Sequence, residues 1–193
     1  MTTLFLQESD ATILLADIRD FSSLAKNRGA TIELAITLSR FYEHIASVVK
    51  AENGRVVKLC GDGVLCAFVG IADHRLHAIR ALQKCVATRD EMNDIARAGN
   101  MPVIDYTTVV GSGRVLAGDL GADKLQGFDV IGPVVNRMFH LSQIATQRGV
   151  THLVEASTYD ALPPEARPAA QGAQPYEAST GDGELLSLYE LGS

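Results

Sequence analysis

Two apolar runs, Arg55 to Leu59 and Val64 to Val69, meet at Gly61-Asp62-Gly63, and each flank repeats its apolar residues every three or four positions. An Asp-Gly turn between strand-like runs is a strong local hairpin signal. Upstream, Thr31 to Glu52 places Leu34, Leu38, Phe41, Ile45 and Val48/Val49 on one side, with Gly54 as a stop. Downstream, Asp73 to Ala98 carries Ile79, Leu82, Val86, Met92 and Ile95, and Gly99 follows. Both stretches read as long amphipathic helices. A hairpin held between two such helices buries its apolar faces only if the helices lie on a sheet. The fold class is therefore α/β, an α+β sandwich with helices packed on a mostly antiparallel sheet.

The rest of the chain extends that pattern. Ala11-Thr12-Ile13-Leu14-Leu15-Ala16 ends at Asp17 and reads as a buried central strand. Ser22 and Ser23 are candidate caps for a short helix closed by Gly29. Val103 to Val110 and Arg114 to Ala117 read as two strands, Pro133 to Gln147 as a helix with proline in its first turn. His152-Leu153-Val154 and Leu185 to Leu191 are late strands, and Pro163 to Gly183 is a loop. There is no repeat and no dividing linker, so residues 1–193 form one domain, with a core at about 8–160 and a C-terminal loop and strand at 163–193.

Composition narrows the function. Apolar residues make up 47% and charged residues 21%, which suits a globular chain and not a disordered one. The net charge of −6, without any Lys/Arg run, leaves no electrostatic footprint for nucleic acid. A phosphate-bearing ligand would have to be held by a few placed groups and by metal. Cys60, Cys66 and Cys85 form no metal-type cluster, and the first two read as buried core thiols. No apolar run approaches the ~20 residues of a membrane helix, and the N-terminus lacks the basic region of a signal peptide. The expected location is the cytoplasm, with no membrane partner.

Two carboxylates stand out. Asp17 ends the buried strand, and Asp62 sits at the hairpin tip. If the hairpin pairs beside that strand, both reach one sheet edge, where hard cations could bind carboxylate and substrate phosphate. Taken alone, Asp62 reads better as a turn residue, and Asp17 also reads as a helix cap. Gly111-Ser112-Gly113 is no dinucleotide fingerprint, because Leu116 stands where the next glycine is required and strand-like residues follow.

Three blocks in order resemble the catalytic domains of class III adenylate and guanylate cyclases. They are Ala16-Asp17-Ile18-Arg19-Asp20-Phe21-Ser22-Ser23-Leu24, then Gly54 to Gly63 with Lys58 four residues before Asp62. The third is Gly113-Arg114-Val115-Leu116-Ala117-Gly118 followed by Gly127 to Asn136. The resemblance implies a ferredoxin-like, βαβ-containing cyclase homology domain. It implies that Asp17, Asp62 and the Ile18 carbonyl hold two divalent ions, Mg²⁺ or Mn²⁺. The turn through Phe21 and Ser22 would offer backbone N–H groups to the triphosphate, and Arg114 would contact its terminal phosphates. Lys58 and Asp129 would read the base, a pair associated with adenine, and Asn136 would orient the ribose. It further implies a homodimer in which the metal pair and the base-reading pair come from opposite subunits.

Two positions depart from the family pattern. An arginine is usual one turn after the asparagine, and His140 stands there, at 136 + 4 = 140. Arg137 is adjacent to Asn136, but neighbouring helical positions point about 100° apart. Near the C-terminus, Thr180-Gly181 aligns with the usual Lys-Gly pair. The expected function is a nucleotidyl cyclase making a 3′,5′-cyclic nucleotide and pyrophosphate for intracellular signalling, with ATP first. A pyrimidine (UTP or CTP) cyclase of Pycsar-type antiphage defence is second, and a catalytically silent nucleotide-binding homologue third. Diguanylate cyclases are set aside because the hairpin reads Cys-Gly-Asp-Gly and lacks their GG[DE]EF turn.

Overall fold

A computed structural model describes residues 5–28, 31–121, 127–172, 174–180 and 183–192. The chain runs β1 (Phe5–Ile18), α1 (Phe21–Arg28), α2 (Ile32–Ala51), β2 (Arg55–Cys60), β3 (Gly63–Val69) and α3 (His74–Ala98). It continues through β4 (Tyr106–Leu120), β5 (Gly127–Ile131), α4 (Pro133–Arg148), β6 (His152–Glu155), α5 (Ala156–Asp160), β7 (Tyr176–Ser179) and β8 (Leu185–Glu190). The strands form one eight-stranded sheet in the order β2-β3-β1-β4-β6-β8-β7, with β5 added on β4. Every pairing is antiparallel except β4 with β6.

Alternation along β1 builds two cores. Leu14, Ala16 and Ile18 pack toward α2 and α3, with Phe41, Ile45, Ile79 and Leu82. Ala11, Ile13 and Leu15 point the opposite way, toward Val134, Met138 and Leu141 of α4. The two long helices and the Asp62 hairpin are as expected, and the Thr31 hydroxyl caps α2 by accepting from the Leu34 N–H at 3.3 Å. On α3, however, Ile95 is 58% exposed, and Asn93 and Ala96 turn inward instead, the Asn93 amide bonding both backbone groups of Ile104.

Several expectations need correction. Ser22 and Ser23 are not caps, because α1 already begins at Phe21, behind Asp20 in a left-handed turn (φ 53°). Gly29 lies outside the described residues. The two strands expected around residue 111 are one continuous strand of 15 residues. Gly111 interrupts nothing: a Cβ there would stand 2.4 Å from Met138 Cε and 2.6 Å from the Glu155 carboxyl, so the missing side chain lets two other elements reach the strand. β5, α5 and β7 were not foreseen, the last lying within the expected loop. Cys66 and Cys85 are buried, but Cys60 is only partly covered.

Candidate active site

The hairpin pairs directly beside β1, so that Asp17 stands opposite Gly63, and the Ile18 N–H donates to the Asp62 carbonyl at 3.1 Å. This register brings Asp17, Ile18 and Asp62 to one sheet edge. Burial pushes the Asp17 carboxyl above the usual aspartate range; a hydrogen bond from Ser142 opposes this, and the Asp62 charge adds to it. A carboxylate strained toward its neutral form by burial and a like charge is one that a cation would stabilise. The donors are hard oxygens of the kind Mg²⁺ and Mn²⁺ take. Among the described residues no three His, Cys, Asp or Glu side chains gather, so an ion here would complete its shell from backbone and ligand. On that chemistry the residues fit a divalent cation.

Three contacts fix this edge. The Tyr42 hydroxyl, from α2, donates to the Gly61 carbonyl and ties the hairpin down. The Ser142 hydroxyl, from α4, donates to Asp17 Oδ2 at 3.0 Å. Gly63 leaves room for Asp17, since a Cβ there would lie 3.0 Å from Oδ1. A cleft of about 300 Å³ opens next to Asp17, lined by Phe139, Ser142, Gln143, Thr146 and Gln147. Sequence reasoning missed Tyr42 and Ser142, because a helical hydroxyl has no periodic signature.

Lys58 and Asp129 meet as an ion pair at 2.8 Å, 71 residues apart in sequence. The register of β2 against β3 slips between Val56 and Lys58, and such a bulge re-aims the side chains that follow. Asp129 comes from β5, where it pairs with Gly118. The partly covered Cys60 thiol is raised by burial first; Lys58 draws it down, while Asp17 and Asp129 both raise it. Its field therefore includes both the metal-type edge and the Lys58–Asp129 pair.

Around the same edge, Ser23 and Leu24 donate to the Asp20 carbonyl, which leaves the Phe21 and Ser22 N–H groups as the first-turn donors of α1 that this carbonyl does not take. Asn136 is exposed and His140 partly buried, one turn apart on α4.

Two expected contacts do not converge here. Arg114 is 68% exposed and lies 3.4 Å from Glu8 and 3.9 Å from Asp10. It pairs opposite Asp10, seven residues from Asp17, or about 24 Å along the strand. Arg137 turns to the sheet: its Nε donates to Glu155 Oε1 at 2.7 Å, and one Nη donates to the Ser112 carbonyl at 3.2 Å. Ser112 lies opposite Thr12, five residues or about 17 Å from Asp17. Within this chain Arg137 is therefore a strut between α4 and β6. The Thr180 hydroxyl closes the β7–β8 hairpin on the Glu184 carbonyl at 3.0 Å, and Gly181 lies outside the described residues.

The sequence matches the family described as Adenylate and Guanylate cyclase catalytic domain over residues 6–181, and the chain belongs to that family. It is 24% identical over 151 residues to adenylate cyclase 1 of Rhizobium meliloti (strain 1021), covering 77% of this chain and 23% of that protein. An uncharacterized protein of Mycobacterium tuberculosis (strain ATCC 25618 / H37Rv) is 30% identical over 142 residues, covering 72% of this chain and 24% of that one. The chain thus spans about a quarter of the length of these relatives. Among solved structures, the guanylyl cyclase Cya2 superposes with a TM-score of 0.80 at 19% identity, covering 97% of this chain and 93% of that one. The adenylyl cyclase CyaB from P. aeruginosa gives 0.79 at 19% identity, covering 98% and 97%. The fold is that of class III cyclase domains. No helix among the described residues is long and apolar enough to cross a membrane.

Proposed function

We propose that this domain converts ATP to 3′,5′-cyclic AMP and pyrophosphate, acting as a homodimer with two divalent ions at each site. The observation that carries the reading is the convergence of Asp17 and Asp62 on one sheet edge, with the Lys58–Asp129 pair, 2.8 Å apart, available to the site of a second copy. Asp17, Asp62 and the Ile18 carbonyl would hold Mg²⁺ or Mn²⁺. When bound, such ions lower the pKa of the ribose 3′-hydroxyl and neutralise charge on the phosphates.

The chain's own groups do the rest by binding and orientation. The Phe21 and Ser22 N–H groups, at the positive end of α1, would hold phosphate oxygen. Lys58 is a pure donor and Asp129 a pure acceptor, matching the ring nitrogen and exocyclic amine of adenine. Asn136 would orient the ribose, and His140 would stand beside the α-phosphate where an arginine is usual.

Helix geometry supports the dimer. Ser142, not Asn136, touches this chain's Asp17, and Asn136 lies six residues away, about 9 Å of helix rise. Asn136 would therefore serve the aspartates of a second copy. The paired, exposed Leu116 and Ile131, with exposed Leu59 beside Lys58, offer apolar surface for that contact.

The test incubates purified protein with Mn²⁺ or Mg²⁺ and each of the four ribonucleoside triphosphates, with products identified by mass. Cyclic AMP with pyrophosphate is expected. Cyclic UMP or CMP as the main product would move the function to pyrimidine signalling, and no product from any triphosphate would reject catalysis.

A further inference from the structure

Ser142 is 4% exposed and Thr107 1%, yet the hydroxyls of both reach Asp17 or its hydrogen-bond partner. Thr107 is the β4 residue paired with Asp17, and Ser142 descends on the same spot from α4. Ser142 Oγ donates to Asp17 Oδ2 at 3.0 Å, which uses its single hydrogen. Thr107 Oγ1 lies 3.4 Å from both the Asp17 carbonyl oxygen and Ser142 Oγ, so its one hydrogen is shared between them. Three strand and helix positions thus close a ring around one aspartate: side chain to Ser142, Ser142 to Thr107, Thr107 to the Asp17 main chain.

The two carboxyl oxygens are consequently unequal. Oδ2 is tied to α4, whereas Oδ1 lies over Gly63, the residue after Asp62. An aspartate free to rotate about χ2 would present either oxygen, or neither, to a cation shared with Asp62. A serine donor on one oxygen removes that freedom and leaves the other directed at the hairpin. Ligating groups held in this way by an outer hydrogen bond bind metal more tightly, because their orientation is fixed before the ion arrives.

We propose that Ser142, backed by Thr107, is a positioning residue for the metal site: its hydroxyl fixes the Asp17 carboxylate so that Oδ1 faces the Asp62 hairpin. This rests on the reading of Asp17 and Asp62 as cation ligands. Because its hydroxyl acts through Asp17, its effect is expected on cation affinity first and on turnover only through it.

The experiment measures binding of Mn²⁺ alone to the full chain by electron paramagnetic resonance, which counts free ion without any turnover. Four proteins are compared: wild type, Ser142→Ala, the near-isosteric weak donor Ser142→Cys, and Asp17→Ala. Ser142→Ala is expected to weaken Mn²⁺ binding about tenfold, the lower end of the 10–100-fold range for outer-layer partners of metal ligands. Ser142→Cys is expected to fall between alanine and wild type, with no matching order in thermal stability. Equal Mn²⁺ affinity in wild type and Ser142→Ala, while Asp17→Ala loses the ion, would overturn the positioning role and leave the metal site standing. Retention of Mn²⁺ by Asp17→Ala would overturn the metal site itself, and this proposal with it. If Ser142→Ala is too unstable to titrate, Thr107→Val removes the backing hydroxyl at nearly constant shape. It is expected to weaken Mn²⁺ about twofold to threefold, and unchanged binding in both Thr107→Val and Ser142→Cys would overturn the role.

Discussion

Replacing Arg137 by methionine should unfold the protein earlier and leave the chemistry of folded molecules nearly untouched. The side chain is 19% exposed and its partner Glu155 only 5%, with Nε to Oε1 at 2.7 Å and Nη2 to Oε2 at 3.4 Å. Glu155 also accepts from the Ser112 N–H at 3.3 Å. Removing the guanidinium therefore strands a carboxylate packed against Met138, Gly111 and β4. Breaking a buried pair from one side costs about 3–5 kcal/mol. In a domain of this size each kcal/mol moves the melting temperature by about 2–4 °C, so a fall of about 6–20 °C is expected.

The double variant Arg137→Met/Glu155→Gln discriminates a strut from a catalytic group. It removes both charges while keeping an acceptor for Ser112, and replacing a whole buried pair is often neutral for stability. Differential scanning calorimetry of the wild type, both single variants and the double variant gives the coupling energy. Turnover measured well below each melting temperature gives the catalytic effect. The double variant should recover most of the lost stability and retain cyclase turnover within a fewfold of wild type. A double variant that is stable but lacks turnover would refute the structural assignment and return Arg137 to the candidate catalytic residues.

Three further outcomes are expected. Asp17→Ala and Asp62→Ala should abolish product formation, whereas Asp20→Ala, whose carbonyl rather than carboxylate caps α1, should keep Mn²⁺ binding; equal losses in all three by product assay would show that the wrong carboxylates were chosen. His140→Arg should raise turnover about tenfold or more, since a positioned donor to transition-state charge is worth 10²–10³; a rate that stays level or falls would mean the imidazole has a role of its own. His152 is fully enclosed, and burial, then the charges of Arg89 and Arg19, hold its ring at about 4, below the ordinary 6.5. The unfolded chain then takes up a proton below pH 6.5 that the fold refuses until about 4, so stability falls by about 3 kcal/mol as pH drops through that window. Urea midpoints at pH 7.5 and 4.5 check this against His152→Asn, which keeps a partner for Thr108; equal losses in both would reject it.

What was legible in the chain follows from range. The helices α2 and α3 and the Asp-Gly turn are local, and each appears where the residues put it. The convergence of Asp17 with Asp62 also became readable, because a hairpin tip has few places to go beside a buried strand. Gly111 to Gly113 misled because glycine signals a break when only neighbours in sequence are considered. Its cause is two elements distant in sequence, Met138 of α4 and Glu155 of β6, which need the space a Cβ would fill. Motif order says which strand Arg114 occupies but not its height on the sheet, where seven residues of β1 separate it from Asp17.

The same distinction governs α4. Asn136, Arg137, His140 and Ser142 lie within seven consecutive residues, and the sequence ranks the first three above the last. Packing reverses part of that order. The buried stripe Val134, Met138, Leu141 and Ala145 fixes the helix rotation, which sends Arg137 to Glu155 and Ser142 to Asp17 while leaving Asn136 exposed. Ser142, in the second half of α4, touches this chain's own Asp17, and Asn136, in the first half, is exposed. If Asn136 acts on a nucleotide, it acts about 9 Å of helix rise from the Ser142 contact to its own Asp17, which would favour a site shared between two chains.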